Sequence, residues 1–251
     1  MRVALIGRGR VATHLGKALL QAGHSVAGIN SRTLESLPTD ADVYIIAVKD
    51  SVLKDVINNA VKGRDGQLFL HTAGSMPLNI FDGKAERCGV LYPMQTFSMD
   101  REVDFHEIPL FIEASDPVSL QQIRELADSV SQHVYELSTE DRRYLHLAAV
   151  FACNFVNHCY TLAADVLSQK GLPFDVMLPL IDETARKVHE FHPIDAQTGP
   201  AIRDDKNVMA AQSALLDGRM KTIYEQLSQS IHEHNKKYDQ LQLTEDSSHR
   251  V

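Results

Sequence analysis

Six residues near the start of the chain restrict its possible folds more than any other feature. Gly7-Arg8-Gly9-Arg10-Val11-Ala12 follows the short apolar run 3–6 directly and opens the helical pattern 11–21. A four-residue apolar run, a two-glycine turn and an amphipathic helix make a strand–turn–helix unit. In this G-x-G-x-x-A spacing each small residue has a steric reason. Gly7 permits the tight turn, Gly9 lets backbone N–H groups approach a pyrophosphate, and Ala12 lets the helix pack close to the strand. The helix N-terminus then stabilises phosphate charge. The hexapeptide alone also fits a plain tight turn. Its position at the first turn of an alternating chain favours a dinucleotide.

The alternation continues. Residues 25–29, 43–48, 68–71, 90–92, 110–113 and 134–137 read as strands, with helices over 50–61 and 117–132 between some of them. The run 43–48 is almost wholly apolar, as a parallel strand covered on both faces must be. Repeated strand–helix units predict an α/β fold built on a doubly wound parallel sheet. Beyond 137 the pattern changes to helices over 139–169, 174–191, 204–216 and 219–237, an all-α half. The expected domains are 1–138 and 139–251, and the polar end of the chain from Thr244 is expected to fray.

Composition limits the partners. Against 25 Lys and Arg stand 33 Asp and Glu, a net charge of −8, which disfavours a broad grip on nucleic acid or an anionic membrane. The longest apolar stretch, 147–156, contains Asn154 and falls short of the roughly 20 residues a spanning helix needs. Three cysteines, Cys88, Cys153 and Cys159, are too few for a disulfide framework and match no zinc spacing. A reduced cytoplasmic protein with no metal, nucleic-acid or membrane partner is expected.

Ligands in open α/β sheets sit beyond the carboxyl ends of the strands, which nominates particular segments. Asn30-Ser31-Arg32-Thr33 ends the second strand where an NAD-specific fold usually carries an acidic residue. Arginine and small polar groups suit a 2′-phosphate instead, so NADP is expected over NAD, with Arg8 and Arg10 adding to the positive field. The bland alternative is that Arg32 is a solvated loop residue. Ala47-Val48-Lys49 after the third strand and Thr72-Ala73-Gly74 after the fourth should border the same ligand. Tyr92-Pro93-Met94-Gln95-Thr96-Phe97 forms either part of a cleft wall or core packing.

On a helical wheel at about 100° per residue, His146, Asn154, Asn157 and Thr161 share an arc of roughly 80°. Such an arc on an apolar helix either lines a wet cleft or bonds to a neighbouring helix. In the first case His146 is the acid–base candidate, with Asn154 and Asn157 orienting substrate or water. Among 12 histidines, His71, His106, His189 and His192 stay open as alternatives. Arg203, after the turn Thr198-Gly199-Pro200, would hold either a substrate carboxylate or a salt bridge to Asp204 or Asp205.

Taken together, the first glycine turn, His71-Thr72-Ala73-Gly74-Ser75, the 92–97 segment, the helix from His146 to Asn157, and Thr198-Gly199-Pro200 with Arg203-Asp204 resemble one family. It comprises bacterial Rossmann-like proteins described as NADP oxidoreductases, whose C-terminal helical half is a domain of unknown function. The layout is more distantly similar to pyrroline-5-carboxylate reductase and to the 6-phosphogluconate and 3-hydroxyisobutyrate dehydrogenases. The resemblance implies a Rossmann-type domain, NADP, a helical domain that builds the substrate site, and a homodimer through that domain. The hydroxyacid dehydrogenases of the wider group use a lysine on the first long helix of the second domain. Residues 139–169 contain none, so that mechanism does not carry over. The expectation is an NADP-dependent oxidoreductase moving a hydride between nicotinamide and a small carbonyl, imine or alcohol. The competing class is a nicotinamide-nucleotide sensor without turnover.

Overall fold

The computed structural model describes residues 1–248. Its first unit, Met1–Val156, is built on a seven-stranded sheet: β1 Arg2–Ile6, β2 Ser25–Ile29, β3 Val43–Ile46, β4 Leu68–His71, β5 Arg87–Pro93, β6 Leu110–Ala114 and β7 Val134–Glu136. The strand order is β2-β1-β3-β4-β5-β6-β7. Helices α1 Arg10–Gln21, α2 Asp50–Ala60 and α3 Pro117–Asp128 connect the parallel strands. One pair departs from the all-parallel expectation, because β6 runs antiparallel to β5. Only a short 3-10 turn, Phe105–Glu107, interrupts the connection between them. Without a crossover helix the chain returns along the neighbouring edge in the opposite direction.

The period-2 alternation of the strands sorts their side chains into two cores. Val3, Leu5, Val43, Ile45, Leu68 and Leu70 pack with Leu15 and Leu19 of α1 and with Ile123 and Leu126 of α3. Ala4, Ile6, Tyr44, Ile46 and Phe69 pack on the opposite face with Leu53, Val56 and Ile57 of α2. Every residue of β3 is buried, which explains its unbroken apolar run. The order places a topological switch between β1 and β3, whose helices lie on opposite faces, so a crevice opens beyond their carboxyl ends.

Helix α4, Thr139–Ala149, follows β7, then a π-helical segment Val150–Phe155, then α5, Val156–Ser168. The expected boundary at 138 falls on the N-cap of α4, where Ser138 accepts from the Asp141 N–H. The compact first unit runs on to Val156, and a buried ion pair supplies the reason. Arg142 is fully buried and pairs with Glu113 of β6, while its guanidinium donates to the Met76 carbonyl at 2.7 Å. Thr139 joins them, its N–H donating to Glu113 at 2.9 Å and its hydroxyl oxygen accepting from the Leu78 N–H at 3.0 Å. These bonds tie the start of α4 to the sheet and to the loop after β4.

The second unit begins at Asn157 and contains the rest of α5, α6 Leu178–Glu190, α7 Lys206–Ser213 and α8 Gly218–Ser248. The chain end expected to fray from Thr244 is helical as far as Ser248, and its last three residues lie outside the described ones. As one run, Thr139–Ser168 is long and apolar enough by composition to cross a membrane, with a mean hydropathy of 1.3 over its most apolar window. The sequence reading missed this because it counted an unbroken apolar stretch instead of the whole helix. None of the residues in that window is buried within the chain.

Candidate functional site

Backbone hydrogen bonds join the carboxyl ends of the first four strands. The Gly7 N–H donates to Ile29 at 2.9 Å, Ala47 to Ile6 at 2.8 Å and Thr72 to Ile46 at 3.3 Å. At Gly7 the backbone has φ +139°, and a Cβ there would lie 2.1 Å from the Ala47 carbonyl oxygen. The turn therefore needs glycine both for its dihedral and for the passing β3 strand end. Gly9 differs, since a Cβ there would meet nothing within 4 Å. Its bare backbone faces open space at the N-cap of α1.

That open space is a cavity of about 1200 Å³. Gly7, Arg8, Gly9, Arg10 and Val11 form one wall, Asn30, Ser31 and Arg32 a second, and Ala47, Val48, Lys49 and Thr72 a third. Twelve of the sixteen cofactor residues expected from sequence thus meet around one cavity. The other four do not line it. Ala12 is buried in the α1 core, Thr33 precedes a short 3-10 turn, Ala73 is buried, and Gly74 packs under Tyr92 and His146. Sequence reasoning missed a fourth wall, Ser51, Val52, Asp55, Val56 and Asn59 of α2. The spacing 51, 55, 59 marks one helix face, and α2 starts where β3 ends.

The electrostatics of the cavity run against those of the whole chain. Arg8, Arg10, Arg32 and Lys49 all line it, and among the described residues none of the four is in an ion pair. Asp55 is the acid on the lining. Helix α1 has no side-chain cap and no acid in its first turn, whereas Asp116, Ser138 and Asp205 cap α3, α4 and α7. Free amides at a helix start and unpaired cations around it attract an anion. The Asn30 side chain accepts from the Arg32 N–H at 3.1 Å, which shapes the loop without engaging the guanidinium. A phosphate-bearing dinucleotide fits these donors.

A second group of side chains gathers on the loop after β4. His146 of α4 lies with Nδ1 3.0 Å from the Tyr92 hydroxyl at the end of β5, the rings edge to face at 5.8 Å. A Cβ on Gly74 would lie 2.7 Å from that nitrogen and 2.7 Å from the Tyr92 ring. Thr72 of the cavity wall is two residues away on the same loop. Tyr92 is buried, and burial pushes its phenol above the ordinary tyrosine value, with Arg142 opposing. In the 92–97 segment Tyr92 and Phe97 are both buried, Tyr92 against His146 and Phe97 in the core.

The histidines left open by sequence separate clearly. His71 is fully buried, stacks on Phe81 at 5.8 Å and accepts from the Ala73 N–H at 3.2 Å. Burial, with Arg142 nearby, lowers its pKa to about 3, so it shapes the loop as a neutral ring. His106 is exposed on the 3-10 turn before β6, and His189 and His192 are exposed in the second unit. Asn154 is exposed within the π-helical segment, and Asn157 is exposed at the start of the second unit. A π turn takes one residue more than an α turn, so a wheel drawn for a continuous α-helix does not apply across 150–155. Arg203 is exposed, and Asp204 pairs with Lys206 at 3.6 Å instead.

Residues 108–231, from the edge of the sheet through the helical half, match a domain of unknown function, DUF2520. A crystal structure from Bacteroides fragilis, provisionally named an NADP oxidoreductase, aligns with 46% identity and a TM-score of 0.88, covering 92% of this chain and 98% of that one. The chain belongs to the same Rossmann-type family as this provisionally named protein. Two remoter structures share the family's fold. One is an imine reductase from Myxococcus stipitatus in complex with NADP+, at 12% identity and a TM-score of 0.64, with 96% and 95% of the two chains covered. The other is a pyrroline carboxylate reductase from Plasmodium falciparum with NADP bound, at 11% and 0.60, with 92% and 98% covered. None of the curated proteins matches this family member by sequence.

Proposed function

We propose that the protein is an NADP-dependent oxidoreductase acting on a small carbonyl, imine or alcohol. The observation that carries this reading is the set of four unpaired cations around an uncapped helix N-terminus in an otherwise acidic chain. Backbone amides of Gly9, Arg10 and Val11 would hold the pyrophosphate, and Ser31 and Arg32 the 2′-phosphate. Thr72, Ala73 and Gly74 would set the depth of the nicotinamide end. Bound there, the nicotinamide supplies or accepts the hydride, and the protein provides orientation and proton management. His146 exchanges the proton at the substrate heteroatom. The provisional name of the Bacteroides fragilis protein and the reductase names of the remoter structures support this class.

Helix exposure supports a second part of the reading, a homodimer through the helical region. Leu147, Phe151 and Phe155 follow one another at i, i+4 and i+8 with exposures of 53%, 63% and 50%. In the second unit Leu178, Leu180 and Phe191 are exposed as well. A contiguous apolar stripe on a water-facing helix marks an interaction surface. A second copy accounts for it without a membrane, and three free thiols suit the reducing cytoplasm.

The test is titration with NADPH, NADP+, NADH and NAD+, followed by oxidation of NADPH with a panel of small carbonyls and imines. The wild-type protein is expected to bind NADPH most tightly and to turn over at least one panel member. His146→Ala should keep the binding and lose about 100-fold or more in turnover. Tight binding without turnover on any panel member would favour the sensor, and no binding of any of the four nucleotides would overturn the proposal.

A further inference from the structure

The Tyr92–His146 contact has a direction that the acid–base role of His146 alone does not require. Tyr92 is 8% exposed, and its phenol keeps its proton through neutral pH because burial disfavours the phenolate. A buried hydroxyl needs an acceptor. Among the described residues its partner is Nδ1 of His146, at 3.0 Å. If Nδ1 carried a proton and donated to the phenol oxygen, the phenol proton would be left in a buried position with no acceptor. Both groups are satisfied only when the phenol donates and Nδ1 accepts. A neutral imidazole then holds its one proton on Nε2.

The surrounding chain keeps this arrangement in place. Gly74 leaves the space the pair occupies, since a Cβ there would lie 2.7 Å from Nδ1 and 2.7 Å from the Tyr92 ring. Arg142, one turn before His146 on α4, is fixed by Glu113 and the Met76 carbonyl. Strand β5, the loop after β4 and helix α4 therefore each contribute one fixed part.

We propose that Tyr92 is a positioning residue that locks His146 as its Nε2–H tautomer and refills its proton. The proposal rests on the reading of His146 as the acid–base group. As the substrate carbon is reduced, the Nε2 proton passes to the carbonyl oxygen or imine nitrogen, and the phenol proton passes to Nδ1. The imidazole stays neutral throughout. The negative charge arrives on the Tyr92 oxygen, where Arg142 favours it; a proton from water then enters at Nε2 as the Nδ1 proton returns to the phenolate, which restores both the phenol and the Nε2–H tautomer. The overall proton donor is then a phenol, a far stronger acid than a neutral imidazole.

The experiment is two-bond 1H–15N NMR of the full chain labelled with 15N-histidine, above pH 7.5, with the His146 signals assigned by their loss in His146→Gln. The wild-type ring is expected to show an unprotonated Nδ1 and a protonated Nε2. Tyr92→Phe keeps the ring and removes the donor, and should give tautomer-averaged shifts. Gly74→Ala, which wedges the pair apart, should do the same. With a substrate in hand, Tyr92→Phe should lower kcat by about tenfold or more while the NADPH Kd changes less than about twofold. A protonated Nδ1 in the wild type, or shifts unmoved in both variants, would overturn the proposal. Failure of the acid–base reading shows elsewhere, as full turnover in His146→Ala, because the tautomer is read without substrate or cofactor.

Discussion

The backbone of Gly7 passes so close to the carbonyl oxygen of Ala47 that a single added carbon would lie 2.1 Å from it, whereas the same carbon on Gly9 would meet nothing within 4 Å. The two glycines of one motif thus serve different ends, the first closing the sheet and the second leaving the start of α1 open to the cavity. Gly7→Ala should destabilise the fold by about 3 kcal/mol or more, through overlap with backbone and a dihedral that L-residues avoid. Gly9→Ala should leave stability within about 0.5 kcal/mol and weaken NADPH about tenfold or more, a loss of ~1.4 kcal/mol. Urea denaturation and calorimetric titration of both variants check this. A Gly9→Ala protein that unfolds early, or binds as the wild type does, would contradict the division of roles.

Arg32 lies exposed on the cavity wall without an ion pair. Reversing its charge with Arg32→Glu should weaken NADPH by about 100-fold, the scale of one or two charge-assisted hydrogen bonds. NADH, which lacks the 2′-phosphate, should lose less than about threefold. Equal losses for the two cofactors would remove Arg32 from the 2′-phosphate site.

His71 ties stability to pH. Its folded pKa of about 3 lies well below the ordinary 6.5, so between those values the unfolded chain binds a proton that the native chain does not. Stability therefore rises with pH across this window and is lost on acidification from about 6.5 towards 3, with a contribution of up to ~1.4 kcal/mol per pH unit. His71→Asn retains an acceptor for the Ala73 N–H and removes the titration. Denaturation at pH 7, 6, 5 and 4 should show a shallower slope in the variant, and parallel slopes would refute the assignment.

Phe151 is the most exposed member of the apolar stripe on the helix after β7. Sedimentation equilibrium of the wild-type protein should give the mass of two chains. Phe151→Glu, which places a charge at the centre of the stripe, should give the mass of one while leaving NADPH affinity within about threefold. A monomeric wild type would exclude the second copy as the stripe's partner.

The segments that line the cavity were legible because each is a short contiguous string at a strand end, where strand, turn and helix periodicities change. The α2 wall was harder to see, since Ser51, Asp55 and Asn59 carry no motif and matter only because β3 ends beside β1. The polar arc around His146 was drawn for a continuous α-helix, and the π-helical segment 150–155 has no signature in residue type. Tyr92 stood out only as an aromatic near a turn. Its role needs β5 and α4 to meet, and 54 residues separate it from His146 in the chain.

Legible from the sequence alone were the strands, most helices, the glycine turn and the local excess of positive charge around it, because periodicity, backbone dihedral and charge are properties of short segments. Tertiary structure alone decided that β6 runs antiparallel, that Arg142 and Glu113 hold α4 against the sheet, and that a tyrosine from one strand faces a histidine from a distant helix. Those outcomes depend on which segments become neighbours, and neighbours are chosen by burial summed over the whole core.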